Sequence, residues 1–232
     1  ASRRAMRAFA RLQGRRVNFD PAELAGAGAP GSPWTVDDHR TPLPPERPGP
    51  PAPGGSWETA RGLVRDYAFA PPSLIRAVHR PADDLEGRNM LLEGRFLGLR
   101  FMLGARVAAV VDGEREIDGR PARVWGWHYQ TLEGHLERGQ MDFEVVKWPD
   151  DGTVAFLIHA VSRPARIPNP VVRLGFRLFG RRLQLRFARE AGERMRRLVG
   201  ERLADDGPDR PAGPPTVTVP RATGADGPGA IK

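Results

Sequence analysis

The spacing of apolar residues along the chain changes near Gly87, and this change separates predicted helices from predicted strands. Before it, helical spacing predicts a helix over 57–68, and a second short helix over 74–79 is bracketed by Ser73 and Pro81. After it, runs rich in Leu, Phe and Val alternate with turn signals. These runs predict four or five antiparallel strands, at about 90–101, 104–112, 122–131, 140–148 and 153–162.

The last predicted element is a long amphipathic helix that opens at Pro170. Its apolar residues recur every three or four positions: Val172, Phe176, Phe179, Leu183, Phe187, Ala191, Met195 and Leu198. A helix this long must bury its stripe, and the sheet is its only large predicted partner. The sequence therefore predicts an α+β fold in which short helices precede a curved antiparallel sheet. The sheet and the long C-terminal helix would enclose a cavity.

Composition divides the chain further, because its 27 Gly and 24 Pro residues are too many for a packed core of 232 residues. They concentrate outside the patterned region. We expect a basic helical arm, a Pro/Gly-rich linker, the sheet-and-helix domain and a disordered tail, at residues 1–25, 26–56, 57–204 and 205–232. The arm could also be partly frayed, and the linker could be a solvated segment or be pinned to the domain by Phe19 and Trp34.

The net charge of +8 is concentrated in one segment of the chain. Residues 170–203 carry ten arginines and three glutamates, so the last helix could meet an acidic partner. No aromatic residue alternates with these arginines on the exposed face, so we expect no specific nucleic-acid partner. Only Lys147 and Lys232 are lysines among the 36 basic residues, which also indicates codon bias.

Other features exclude several classes of protein. The absence of cysteine excludes disulfides, thiolate nucleophiles and Cys-based zinc sites. No apolar run is long enough for a membrane span, and no secretory signal pattern opens the chain, so we expect a soluble cytoplasmic protein. No dinucleotide, Walker, nucleophile-elbow or zinc-protease motif is present, and we expect no cofactor.

Aromatic residues lie on one face of the strand predicted over 122–131. Trp125, Trp127 and Tyr129 occupy its odd positions, where they form either core or the wall of the cavity. Further candidate ligand contacts are Phe179 and Leu183 on the long helix.

Three of the five histidines fall in the sheet region. His135 lies close to Glu137 and could act as a general base, with His128 as another acid–base candidate. The alternative is that His135 and Glu137 fix their loop by hydrogen bonds. His159 is a candidate ligand contact, and because the three histidines have no recognised metal spacing we expect no metal site.

Arg163 follows Ser162 at a predicted strand end. It could pair with Glu137 or Glu144 and hold the sheet edge to the loop. Alternatively, it could receive a ligand carboxylate or phosphate as a bidentate fork.

The run from Trp127 to Gly139 resembles the signature of the family catalogued as domain of unknown function nineteen-ninety. The shared pattern is Tyr-x-Thr-Leu-x-Gly-His-x-Glu-x-Gly, followed by Phe143 and by Ser-Arg-Pro-Ala at 162–165. Three departures occur, namely Gln130, Leu136 and the pair Gln140-Met141. The resemblance covers roughly 57–200 and implies a helix-grip fold of the birch-pollen-allergen and START type. It implies no activity, although relatives with that fold bind apolar small molecules and some are polyketide cyclases or aromatases.

Two hypotheses about function follow. In the first, an apolar or aromatic small molecule binds between the sheet and the long helix. This hypothesis extends to cofactor-free cyclase, isomerase or dehydratase chemistry on the bound molecule, in bacterial specialised metabolism. In the second, the arginine-rich face of the last helix makes the chain a non-enzymatic interaction protein. Its partner would be an acidic protein, a membrane surface or a nucleic acid.

Overall fold

A seven-stranded antiparallel sheet forms the centre of the protein in the computed structural model, which describes residues 3–80, 82–96 and 99–205. In space the strands follow the order β1-β7-β6-β5-β4-β3-β2. Their bounds are β1 Thr35–Leu43, β2 Ile75–Val78, β3 Asn89–Phe96, β4 Leu99–Ile117, β5 Arg120–Thr131, β6 Glu137–Lys147 and β7 Val154–Pro164. The helices are α1 Arg3–Ala10, α2 Ser56–Arg65 and α3 Pro170–Asp205, with a short 3-10 helix at Pro21–Gly26.

The main core lies between the inner face of the sheet and the helices α2 and α3. Alternation along the strands points Trp127, Phe143 and Phe156 into this core. Phe69 from the loop after α2 contacts Phe143 and Phe156, and Trp127 contacts Phe143. The C-terminal half of α3 completes it with small and flexible residues, namely Ala188, Ala191, Met195 and Val199. A long helix laid on a curved antiparallel sheet is the helix-grip arrangement, so the predicted α+β class is confirmed.

The segment expected to be a linker supplies a strand, which corrects that prediction. β1 pairs with β7 along its whole length, from Thr35↔Ser162 to Leu43↔Val154. Its sequence shows no apolar alternation, because the inward residues are mostly polar and face α3 or a small cavity. Pro42 is tolerated because β1 is an edge strand. The sheet domain therefore begins well before residue 57.

The helix predicted over 74–79 is also wrong, because Ile75–Val78 forms β2 at the opposite edge of the sheet. Ser73 and Pro81 resemble helix boundaries, but four residues gain more from pairing with β3 than from a single helical turn. The hairpin turn between β4 and β5 is at Asp118-Gly119, where both residues have positive φ angles of 55° and 72°.

The N-terminal arm packs on the outer face of the sheet. Phe9 and Leu12 from α1 and the turn after it contact Leu91 and Leu132.

The predicted tail falls on residues 206–232, which lie outside the described residues, whereas Asp205 belongs to α3. No helix among the described residues is both long and apolar enough to cross a bilayer.

A buried ion pair fastens the Pro-rich segment 44–55 to the sheet. Lys147 at the end of β6 is fully buried, and its Nζ lies 2.5 Å from Glu46 Oε2. The ammonium also donates to the carbonyls of Arg47 and Pro50, at 3.1 and 2.9 Å. Glu46 Oε1 in turn accepts the backbone N–H of Trp57 at 2.8 Å, so this carboxylate caps the N-terminus of α2.

Candidate functional site

A cavity of about 310 Å³ lies between the N-terminal half of α3 and the inner face of the sheet. Most of its wall is apolar, with contributions from β3, β4, β6 and α3, including Leu92, Leu103, Met141, Phe176, Leu183 and Phe187. The C-terminal half of α3 is anchored closely to β1, where Gly192 leaves no room for a Cβ beside Thr41. The N-terminal half of α3 is only half-buried, because its inner side faces the cavity and not a layer of packed side chains.

Polar groups gather at one end of this cavity. Tyr129, His135, Glu137 and Gln184 line it together with an adjoining small cavity of about 40 Å³. β1 adds Asp37 and His39 to the wall of the smaller cavity. Apart from the exposed Arg95 of β3, a ligand in the apolar part would therefore meet its polar lining side chains at this end.

Glu137 is the ionisable group best placed for chemistry. Its Oε1 accepts a hydrogen bond from Gln184 Nε2 on α3. Burial raises the pKa of Glu137 to about 7, an effect that the Gln184 hydrogen bond and the Arg181 charge reduce and the Asp37 charge increases. Near neutral pH this carboxyl can therefore donate or accept a proton.

His135 is buried, and its imidazole is hydrogen-bonded to the backbone of its own loop. Its Nδ1 accepts the backbone N–H of Glu137 at 3.0 Å, which places the ring proton on Nε2. Burial lowers the pKa of His135 to about 4, although the backbone contact with Glu137 acts in the opposite direction. The imidazole is thus neutral at pH 7 and orients Glu137 through the main chain.

Tyr129 adds a hydroxyl to the polar end. Its Oη lies 3.6 Å from Met141 Sδ. Burial and the nearby Glu137 charge raise the pKa of Tyr129 well above its ordinary value, so the phenol stays protonated. It can act as a hydrogen-bond donor but not as a base at neutral pH.

The aromatic residues predicted on one strand face separate into two roles. All three are buried on the inner face, but only Tyr129 lines the cavity. Trp127 lies in the packed core, where its Nε1 donates to Val64 O at 3.0 Å. Trp125 also lies in the core. The guanidinium carbon of Arg61 lies over the Trp125 ring, 5.2 Å from the ring centroid.

The candidates His128 and His159 lie on the other face of the sheet, away from the cavity. Cross-strand pairing places His128 opposite Asp142, Asp142 opposite His159, and His159 opposite Asp38. The His128 Nδ1 to Asp142 Oδ1 distance is 3.5 Å, and the His159 Nδ1 to Asp38 Oδ1 distance is 2.7 Å. Strand alternation explains the error, because Trp127 and Ile158 take the inward positions.

Arg163 pairs with neither Glu137 nor Glu144, which corrects both expected pairings. It binds Glu23 at 2.8 Å and covers the Trp34 ring at 4.4 Å, so it pins the N-terminal segment. Glu144 is held by Arg115 instead. On α3, Leu183 lines the cavity, whereas the half-buried Phe179 is not among the lining residues.

Sequence reasoning missed Asp37, Gln184 and Met141. Gln184 is a polar residue inside the repeat of the long helix, next to Leu183, and this interruption of the apolar face was the available signal. Asp37 gave none, because the strand that carries it has no apolar periodicity. In the part of the chain that the structure describes, no three His, Asp or Glu side chains are grouped so that they could hold a metal ion.

Replacing Glu137 with Gln should stabilise the protein above neutral pH. Because burial raises the pKa of Glu137 from 4.5 to about 7, the folded protein holds a proton that the unfolded chain releases between these values. The stability that this group contributes is full below pH 4.5 and is lost as the pH rises through 7. We expect urea unfolding to show a gain on the order of 2 kcal/mol at pH 8 and none at pH 4.

Glu114→Gln is the matched control, because Glu114 is an exposed strand glutamate. It should change the free energy of unfolding by less than ~0.5 kcal/mol at either pH. An equal, pH-independent effect of both substitutions would show that Glu137 is not the titrating group.

The fold and the cavity define a helix-grip protein with an apolar chamber beneath its last helix. Residues 20–194 match the family model described as "Domain of unknown function (DUF1990)", and the chain belongs to that family. The match begins before β1, in agreement with a domain that includes the segment expected to be a linker. A search of curated proteins finds no match.

Solved structures resemble the chain at low identity. A crystal structure of Ara h 8.0201 is 10% identical, with a TM-score of 0.42, and the match covers 74% of this chain and 99% of that one. A Thalictrum flavum norcoclaurine synthase point mutant with a transition-state analogue is 9% identical, with a TM-score of 0.45 and coverage of 72% and 95%. The T. flavum enzyme with dopamine and hydroxybenzaldehyde is 10% identical, with a TM-score of 0.42 and coverage of 72% and 87%.

Proposed function

We propose that the protein binds an apolar or aromatic small molecule in the cavity beneath the N-terminal half of α3. The observation that carries the proposal is an apolar chamber of about 310 Å³ that ends at a carboxyl group with a pKa of about 7. Concave, mostly apolar sites with few convergent polar groups are typical of small-molecule binding. A ring system would lie between Phe176 and the sheet, with its polar substituent toward Glu137 and Tyr129.

The proposal extends to acid–base chemistry without a cofactor. Glu137 would take a proton from the bound molecule or give one to it, since its pKa lies near neutral pH. Tyr129 would donate a hydrogen bond to a developing oxyanion, and the neutral His135 would hold Glu137 in place. Cyclisation, isomerisation and dehydration all need such a proton transfer, and Glu137→Gln would then bind the molecule without converting it.

Filling the cavity should weaken the binding of a neutral aromatic probe. We expect Leu183→Trp to weaken the affinity for N-phenyl-1-naphthylamine, followed by its fluorescence, by about tenfold or more, because the indole occupies the space of the ligand. Leu185→Trp is the matched control, since Leu185 lies two positions further along α3 and is 42% exposed on its outer face. Equal affinities of the two variants would place the probe outside the cavity and contradict the proposal.

The second hypothesis, an interaction surface on the last helix, also has an observation in its favour. Large apolar side chains are exposed among the arginines of α3, including Leu174 and Leu178. This surface is on the opposite side of the helix from the cavity, so the two functions are compatible.

A further inference from the structure

The N-terminal half of α3 carries a second apolar stripe on its outer face. Val171, Leu174, Leu178 and Leu185 are 75%, 58%, 57% and 42% exposed, and Val171, in the first turn, also borders the cavity. Their spacings of three, four and seven residues place them in one line along the helix. They are four of the six large apolar side chains found exposed within the described residues. Such a concentration on one line indicates a contact surface and not scattered exposure.

Arginines flank this stripe on both sides. Six of them fall between Pro170 and Arg189, and that segment contains no acidic residue. Arg181 pairs with Asp37 of β1, and Arg186 pairs with Glu190 further along the helix. The outer face therefore combines exposed leucines with a net positive charge.

This combination identifies the kind of partner. A second copy of the chain would set arginines against arginines, and a nucleic acid offers no apolar surface for the leucines. A bilayer with anionic headgroups provides both phosphate groups for the arginines and acyl chains for the leucines. We propose that residues 170–189 dock on an anionic membrane surface, lying in the plane of the interface.

Docking in this way would bring the cavity next to the bilayer. The inner side of the same helical turns lines the cavity through Val172, Phe176 and Leu183. An apolar ligand could then pass between the membrane and the cavity around the half-buried end of α3. The docking itself depends only on the outer face and not on the ligand.

Flotation with lipid vesicles tests the proposal on the full chain. We expect binding to phosphatidylcholine vesicles that contain about 30% phosphatidylserine in about 100 mM salt, and none to pure phosphatidylcholine. The triple substitution of Leu174, Leu178 and Leu185 to Ser should reduce binding about tenfold or more. Met6→Ser with Val36→Ser is the control, because these side chains are also exposed but lie elsewhere.

Charge variants separate the two contributions. Arg177→Gln with Arg182→Gln should weaken binding, and more so as salt is lowered, whereas Arg65→Gln with Arg76→Gln removes the same charge elsewhere and should have a smaller effect. Wild-type protein that ignores anionic vesicles, or a leucine variant that binds them as well as the wild type, would overturn the proposal.

Two further readouts assign the surface to another occupant if the proposal is wrong. Light scattering that shows a dimer for the wild type and a monomer for the leucine variant would assign the stripe to a second copy. An oligoribonucleotide that binds in about 150 mM salt and displaces the vesicles would assign it to nucleic acid. The affinity for N-phenyl-1-naphthylamine should be the same in the leucine variant, so a failure of docking leaves the cavity proposal intact.

Discussion

Lys147→Met should destabilise the protein by about 3–5 kcal/mol at pH 7, which is the largest effect we expect from one side chain. The substitution removes the buried ammonium and leaves Glu46 buried without its counter-charge. The Arg47 and Pro50 carbonyls also lose their donor, and both belong to the segment that leads into α2. Urea unfolding followed by circular dichroism measures the loss.

The pH dependence identifies Glu46 as the cause. In the wild type, hydrogen bonds and the Lys147 charge outweigh burial and lower the pKa of Glu46 below its ordinary 4.5. The stability from this pair is therefore present above pH 4.5 and is lost as the pH falls through the depressed value. In the variant the buried carboxyl can be protonated without losing a counter-charge, so the deficit should shrink in acid.

Arg120→Met is the control for loss of a cation near carboxylates. Arg120 pairs with Asp150 and Asp151 on the surface, where solvent screens the charges, so its loss should cost much less stability than the loss of Lys147. If Lys147→Met and Arg120→Met lower the free energy of unfolding by the same amount, burial does not determine how much the Lys147–Glu46 pair contributes to stability.

Gly139→Ala should cost roughly 2–5 kcal/mol and should also loosen the candidate site. Gly139 has a φ angle of 151°, a region that residues with a Cβ rarely adopt. A Cβ at this position would overlap the Val161 carbonyl oxygen on the neighbouring strand. The strain would reach Glu137 two residues away, so we expect weaker binding of N-phenyl-1-naphthylamine together with a lower melting temperature.

Gly113→Ala is the matched strand control, because a Cβ there would meet no atom within 4 Å. It should be neutral or slightly stabilising, since alanine loses less backbone entropy on folding. A stable Gly139→Ala variant with unchanged probe affinity would show that neither the start of β6 nor the cavity depends on this backbone conformation.

The signature run illustrates what a motif can and cannot predict. Hydrogen bonds explain Thr131, His135 and Gly139. Thr131 Oγ1 accepts the Gly139 N–H at 2.9 Å and donates to Asn18 Oδ1 at 2.7 Å, and His135 Nδ1 accepts the Glu137 N–H. The spacing indicated a loop fixed by hydrogen bonds or a catalytic pair. Only the structure shows that Asn18, over a hundred residues away in the sequence, completes the network.

The sequence alone determined the order of most elements, because apolar periodicity records which face of a helix or strand is buried. The strands around Trp127, Phe143 and Phe156 and the inner stripe of α3 follow directly from that signal. It also excluded disulfides, thiolate nucleophiles and Cys-based zinc sites, since the chain has no cysteine.

Only the tertiary structure decided what lacks apolar periodicity. β1 pairs with a strand more than a hundred positions further along the chain, and β2 is an edge strand of only four residues. Glu46 likewise meets Lys147 a hundred positions away. The outward position of His128 and His159 depends on strand register, in which a shift of one residue exchanges the two faces. The raised pKa of Glu137 depends on burial under α3, a property of the packed chain that no residue type carries by itself.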